Sequence, residues 1–180
     1  LLYDGIGQMA SKADTAYGIQ TDAAYQFSDT HTLRAGFYLQ NDKASSRTSS
    51  QVLPVNAAGF QTSTNPLVIP DNGSKTQNMY SVYVQDEWKP LSQLTVNYGL
   101  RFDDYEAFSR GSQLSPRANI VWQPMDGTTI HAGYARYFSP PPFELIATES
   151  VTKFNNTTAA APETTNNTPN AERANYFDIG

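Results

Sequence analysis

Seven side chains capable of polar chemistry, Asp22, Arg34, Glu87, Arg101, Asp103, Arg117 and His131, fall on the polar positions of alternating segments. Guanidiniums and carboxylates spaced in this way can hydrate a wall, pair with one another, or hold an anionic ligand through charge-assisted hydrogen bonds. Other chemistry finds no support. The chain has 0 Cys, which removes disulfides and thiolate metal sites. His31, beside a turn, and His131, inside a strand, stand alone, whereas a metal site gathers several ligands, so both read as structural. Asp103, Asp104 and Glu106 lack the glycine and ligand spacing of a calcium loop. No Gly-x-Ser-x-Gly elbow is present. No catalytic residue, metal ligand or cofactor is expected.

The elements that carry these residues are strands. Tyr80, Val82, Val84 and Trp88 alternate with Ser81, Tyr83, Gln85 and Glu87, and Leu94, Val96, Tyr98, Leu100 and Phe102 alternate with Thr95, Asn97, Gly99, Arg101 and Asp103. Successive side chains on a strand point to opposite faces, so each run has one apolar and one polar face. The break at Lys89–Gln93 reads as a turn, with Pro90 ending the first arm. Alternation also marks strands over Asp14–Phe27, Thr32 to about Ala44, Pro116–Gln123, Thr128–Phe138 and from Arg173 onward.

Each arm sustains its alternation for about ten residues, longer than the usual strand of about five or six and close to the roughly 9–11 residues a tilted strand needs to cross a membrane. The fold expected is therefore all-β: an antiparallel up-and-down meander of about seven strands, part of a larger transmembrane β-barrel. The net charge of -5 and the absence of a basic run argue against nucleic acid as a partner. No apolar run reaches the roughly 18 residues of a membrane helix. The 11 Tyr, 9 Phe and 2 Trp suit interface girdles.

The breaks alternate in length. Short turns are expected at 28–31, 89–93 and 124–127, and loops at 45–76, 109–113 and 139–172, the first and last of these long. Short turns in the periplasm and long loops outside is the outer-membrane layout. Asp71-Asn72-Gly73 inside the first long loop is a further turn signal. Phe27, Trp88 and Trp122 share the apolar parity just before the short turns, and are expected as a lipid-facing girdle. Asp86 and Arg136 break the apolar face. Asp86 could sit at a bulge; Arg136, near the long-loop end, could reach lipopolysaccharide phosphate with its long stem.

The stretches Tyr83-Val-Gln-Asp-Glu-Trp88, Tyr98-Gly-Leu-Arg-Phe-Asp103, Ser115-Pro-Arg117 and Gly133-Tyr-Ala-Arg-Tyr-Phe-Ser-Pro-Pro141 resemble TonB-dependent receptors of Gram-negative outer membranes. The resemblance is carried by Asn78 to Pro142; the earlier residues share only the pattern. It implies a barrel of about 22 strands around a plug domain, and import of a scarce ligand such as a ferric siderophore or cobalamin, energised through the TonB complex. It also implies that the polar-face residues face the lumen or the plug. Neither plug nor TonB box is present in 1–180, and without an initiating Met the chain is expected to be an internal piece of the barrel domain. A passive porin-like or adhesin-type barrel is the alternative, and a piece of a soluble sandwich or propeller a second one.

Overall fold

The computed structural model describes residues 6–142, 151–161 and 169–180. Seven strands form one sheet: β1 (Ile6–Gln26), β2 (His31–Val52), β3 (Leu67–Leu91), β4 (Leu94–Glu106), β5 (Arg110–Met125), β6 (Thr128–Ser139) and β7 (Glu172–Ile179). They lie in chain order, β1 to β7, with β1 and β7 at the two ends. The pairs given by β3 to β7 are antiparallel. Among the described residues no helix is long and apolar enough to cross a membrane.

The register explains the alternation. Across β4 and β5 the apolar positions pair in rows: Leu94 with Trp122, Val96 with Ile120, Tyr98 with Ala118, Leu100 with Pro116 and Phe102 with Leu114. The next rows are polar, Asp104 with Ser112 and Glu106 with Arg110. The apolar band thus covers about nine residues of strand, matching the 9–11 that span a hydrocarbon layer. Its side chains lie open, Val82, Leu100, Phe102, Leu114 and Ile120 among them, whereas the buried hydrophobics among the described residues are Val52, Tyr105 and Phe154. A sheet whose apolar residues sit on an open face is built for an apolar surrounding and not around an internal core.

Several boundaries differ from those read in the sequence. Pro90 does not end its strand. β3 runs to Leu91 and the turn is Ser92-Gln93. The register slips between Trp88 and Leu91, leaving one extra residue on β3, and a bulge is where a strand tolerates a residue without an N–H. Pro124 repeats the device, with β5 slipping between Trp122 and Met125 before the turn at Asp126-Gly127. Gly127 there has φ of 78°. The register around Asp86 is unbroken from Asn78 to Trp88, so no bulge lies at that residue.

The loop expected at 45–76 shrinks to 53–66, because β2 continues to Val52 and β3 starts at Leu67, with Asp71-Asn72-Gly73 inside it. Burial still alternates there through Thr48, Ser50 and Val52, but small hydroxyl side chains replace the apolar residues that reveal a strand in the sequence. The break expected at 109–113 is 107–109, closed by Ala107 N–H donating to the Ser109 carbonyl at 2.8 Å. β1 begins at Ile6, ahead of the expected Asp14. Of the loop expected at 139–172, residues 143–150 and 162–168 lie outside the described residues, and the remainder holds a 3-10 helix, Val151–Phe154.

The chain divides into two compact units, one of residues 1–15, 42–76 and 143–168, the other of 16–41, 77–142 and 169–180. In the first, the segment after the 3-10 helix clasps the start of loop 53–66. Pro54 bridges Thr157. Val55 N–H donates to the Asn156 carbonyl at 2.8 Å, and Thr158 N–H to that of Leu53 at 2.9 Å. Lys153 Nζ reaches the buried Asp71 carboxylate at 3.1 Å. The second unit carries the charged residues singled out above.

Candidate functional site

The polar face of the second unit is largely a set of closed ion pairs. Arg34 Nη1 donates to Glu87 Oε2 at 3.3 Å, and Lys89 Nζ meets Glu87 Oε1 at 2.8 Å. One strand pair further on, Arg101 Nε donates to Asp103 Oδ1 at 2.8 Å and its Nη2 to Ser81 Oγ at 3.0 Å. Ser81 Oγ, buried, completes the triangle with Asp103 Oδ1 at 2.5 Å. Tyr83 donates to Asp22 Oδ1 at 2.7 Å, its ring so close over Gly36 that a Cβ there would stand 2.6 Å from Tyr83 Cε1. His131 Nε2 meets Asp178 Oδ2 at 3.0 Å. Arg117, exposed, forms no ion pair among the described residues.

A recess of about 650 Å³ opens on this face, lined by Arg101, Asp103, Arg117, Arg136, Tyr137 and Tyr176 among others. Arg136 borders the recess, yet its cross-strand partner Asn175 accepts from the Tyr134 hydroxyl at 3.0 Å, so Arg136 keeps the parity of Tyr134 and Phe177. β5–β6 pairing stops at Arg117 with Ala135; beyond it, β6 pairs only with β7. There Gln113 Nε2, on the polar parity of β5, donates to the Tyr137 carbonyl at 2.9 Å. The ring of Phe138, nominally outward, lies 5.9 Å from that of Tyr105, which shares the polar parity of Asp103. The last residues of β6, Tyr137 and Phe138, therefore lie against side chains of the polar parity of β4 and β5.

The opposite face holds an arrangement that the sequence reading passed over. His31 stacks between Phe27 and Trp88, ring centroids 5.1 and 5.8 Å away. Its Nδ1 meets Asp86 Oδ2 at 2.7 Å, and Tyr98 donates to the same oxygen at 2.9 Å. Asp86 is 8% exposed, and its Oδ1 has no partner among the described residues. A carboxylate on an apolar face is thus met by a phenol and by an imidazole that is itself stacked between two aromatic rings. The available signal was the pair of exceptions themselves: an acid on the apolar parity and a histidine just past a turn. Trp122 lies across from Leu94, one row beyond the row of Val96, which faces Trp88. Among the described residues no three His, Asp or Glu gather as a metal would require.

The model of the family described as TonB dependent receptor-like, beta-barrel matches residues 2–180. The chain belongs to that family. The siderophore receptor PiuA from Acinetobacter baumannii is similar in structure, with a TM-score of 0.58 at 15% sequence identity over 95% of this chain. At that identity the likeness concerns the fold. The chain spans 29% of the PiuA chain's length. No curated protein matches. For a TonB-dependent receptor barrel segment, the seven-stranded meander in chain order is the expected wall, and the face bearing Arg34, Glu87, Arg101, Asp103, Arg117 and His131 is its polar side.

Proposed function

We propose that this chain is part of the wall of an outer-membrane receptor that imports a scarce ligand, such as a ferric siderophore or cobalamin, in a step energised through TonB. The observation that carries the reading is the family match across residues 2–180. The apolar band of paired rows supports it, being of crossing height and backed by a charged face. In this reading the band, with Phe27, Trp88 and Trp122 as its girdle, faces outer-membrane lipid, including the lipopolysaccharide of the outer leaflet. The polar face meets the plug domain of the whole receptor, and the TonB complex engages that plug. The chain's role is binding and passage; no bond is made or broken by its residues.

The test uses the full-length receptor in its host. Energised uptake of radiolabelled ferric siderophores and of radiolabelled cobalamin is measured with the gene present and deleted, each with and without a protonophore. Loss of one protonophore-sensitive uptake on deletion is the expected result. Flux of small solutes through the purified barrel in vesicles, with no energised uptake of any probe, would replace this reading by a passive pore.

A further inference from the structure

The wall changes character at Ser115-Pro-Arg117. In an antiparallel ladder, successive residues offer their N–H and C=O groups alternately to the strands on either side. Gln123 N–H donates to the Gln93 carbonyl at 2.8 Å, so the odd-numbered residues of β5 bond β4 and its even-numbered residues face β6. His131 and Gly180 exchange both bonds, at 2.8 and 3.0 Å, so the odd-numbered residues of β6 bond the β7 side and its even-numbered residues face β5. Pro116 therefore lacks its N–H on the β6 side, and the β5–β6 pairing ends at the adjacent row, Arg117 with Ala135. The β4 side loses nothing, and Pro116 stays paired with Leu100. Beyond this row β5 runs on against β4 to Arg110, and β6 runs on against β7 to Ser139. Side chains bridge the parting. Gln113 Nε2 donates to the Tyr137 carbonyl at 2.9 Å, and Arg173 Nη2 to that of Ser112, an even-numbered residue, at 3.3 Å. The Arg173 guanidinium also lies 5.4 Å from the centroid of the Phe138 ring, which itself sits 5.9 Å from that of Tyr105. Gln113 Oε1 is buried with no partner among the described residues.

We propose that Pro116 sets a parting line in the wall, and that the β6–β7 arm beyond Ala135 is a flap that swings about the Arg117–Ala135 row to open the recess. The recess straddles this line: Ser115 and Arg117 border it from β5, and Ala135, Tyr137 and Phe138 from β6. Widening the parting therefore widens its mouth. The latch is the kind that opens readily, because segments held by few backbone hydrogen bonds open at lower cost than a full ladder. The latched state also leaves the Gln113 Oε1 acceptor unmet, and opening gives it water, which lowers the cost further. The position in the wall fits. Pro116 and Leu100 lie near the end of the apolar band away from the two-residue turns, two rows short of the polar row of Asp104 and Ser112. An unpaired strand edge is not stable in lipid hydrocarbon, but is tolerated where it lines a water-filled cavity. The recess along the line is such a cavity. The flap is a property of the strand pairing and is independent of which ligand the receptor takes.

The experiment is hydrogen exchange of the full-length receptor in lipid nanodiscs, resolved to single amides. Leu114 and Phe138 face each other across the parting by the register, whereas Gln113, Ser115 and Tyr137 bond the outer neighbours β4 and β7. The amides of Leu114 and Phe138 should exchange about tenfold or more faster than those of Gln113, Ser115 and Tyr137. Simple fraying of the strand ends would release both sets alike, and a closed ladder would protect both; either result overturns the flap. A second measurement follows the motion itself. Ser115 is 4% exposed beside the line, so Ser115→Cys, with any cysteine outside 1–180 replaced by serine, reports opening through its rate of methanethiosulfonate labelling. Arg173→Ala removes a latch that does not touch Ser115, and should speed labelling about fivefold. Pro116→Val supplies the missing N–H, lets the ladder continue, and should slow labelling about fivefold while protecting the Phe138 amide. Labelling unchanged by Arg173→Ala overturns the proposal even where Pro116→Val does not fold, and labelling unchanged by a folded Pro116→Val overturns the role of the proline.

Discussion

Replacing His31 by Phe isolates one contact in the outward cluster. The ring at position 31 remains, so the stack with Phe27 and Trp88 is kept, but the Nδ1 contact to Asp86 at 2.7 Å is lost. A hydrogen bond to a charged group contributes about 1.5–3 kcal/mol. Asp86 keeps the Tyr98 hydroxyl at 2.9 Å, so His31→Phe should destabilise the full-length receptor by about 2 kcal/mol. Asp86→Leu alone strands the imidazole on an apolar face and should cost about 1 kcal/mol. The double variant replaces a half-buried polar pair on an apolar face by apolar side chains, an exchange that is often neutral or stabilising. It should lie within about 1 kcal/mol of wild type, where simple addition gives about 3, so the coupling is about 2 kcal/mol. The assay is urea unfolding of receptor refolded into lipid vesicles, followed by far-UV circular dichroism so that loss of Trp88 stacking does not distort the signal. Additivity within about 0.5 kcal/mol would refute the argument, since groups that do not interact add to that precision.

Gly36→Val should destabilise by about 1–3 kcal/mol, because a Cβ at Gly36 would come within 2.6 Å of both Tyr83 Cε1 and the Thr21 carbonyl oxygen; unchanged urea stability of the variant would remove the need for glycine there. Arg101→Gln leaves the buried Asp103 with Ser81 alone and should cost about 1–2 kcal/mol in the same assay, whereas Arg117→Gln, which breaks no ion pair, should stay within about 0.5 kcal/mol. Protease added to intact cells should cut within 53–66 or 151–161 and spare Ser92-Gln93 and Asp126-Gly127; cleavage at the two-residue turns would invert the topology.

The sequence reveals strands where lipid would enforce contrast. Leu94 to Phe102 alternates cleanly because one face must be apolar and the other polar, and the register bears this out. Where both faces are polar the contrast fades while the strand continues, which is why β2 past Ala44 and β3 before Asn78 read as loop. Pro90 and Pro124 mislead for a different reason: proline is incompatible with a regular ladder but not with a bulge, and a bulge is set by pairing with the next strand. The side-chain partners were the least legible. Arg34 meets Glu87 across 53 residues and His31 meets Asp86 across 55, separations fixed by the register of β2 on β3 and not by any local motif. The surroundings of Tyr137 and Phe138 were not legible either, because β6 loses one neighbour after Ala135.

The clasp between the two long loops has a kinetic consequence. Every strand pairs with its neighbour in the chain, so the wall can zip up hairpin by hairpin, and from β3 to β6 each step closes only a short turn of low entropic cost. The Leu53 N–H bond to Thr158 Oγ1 joins residues 105 apart. Closing it on an unstructured chain would cost about 3 kcal/mol more than closing a four-residue turn. Once β3 to β6 are zipped, the free path between the two loops is shorter and the penalty falls. The clasp is therefore expected to close after the wall and to open before it. In pulse-labelled hydrogen exchange, the amides of Val55 and Thr158 should gain protection later than those of β4 and β5.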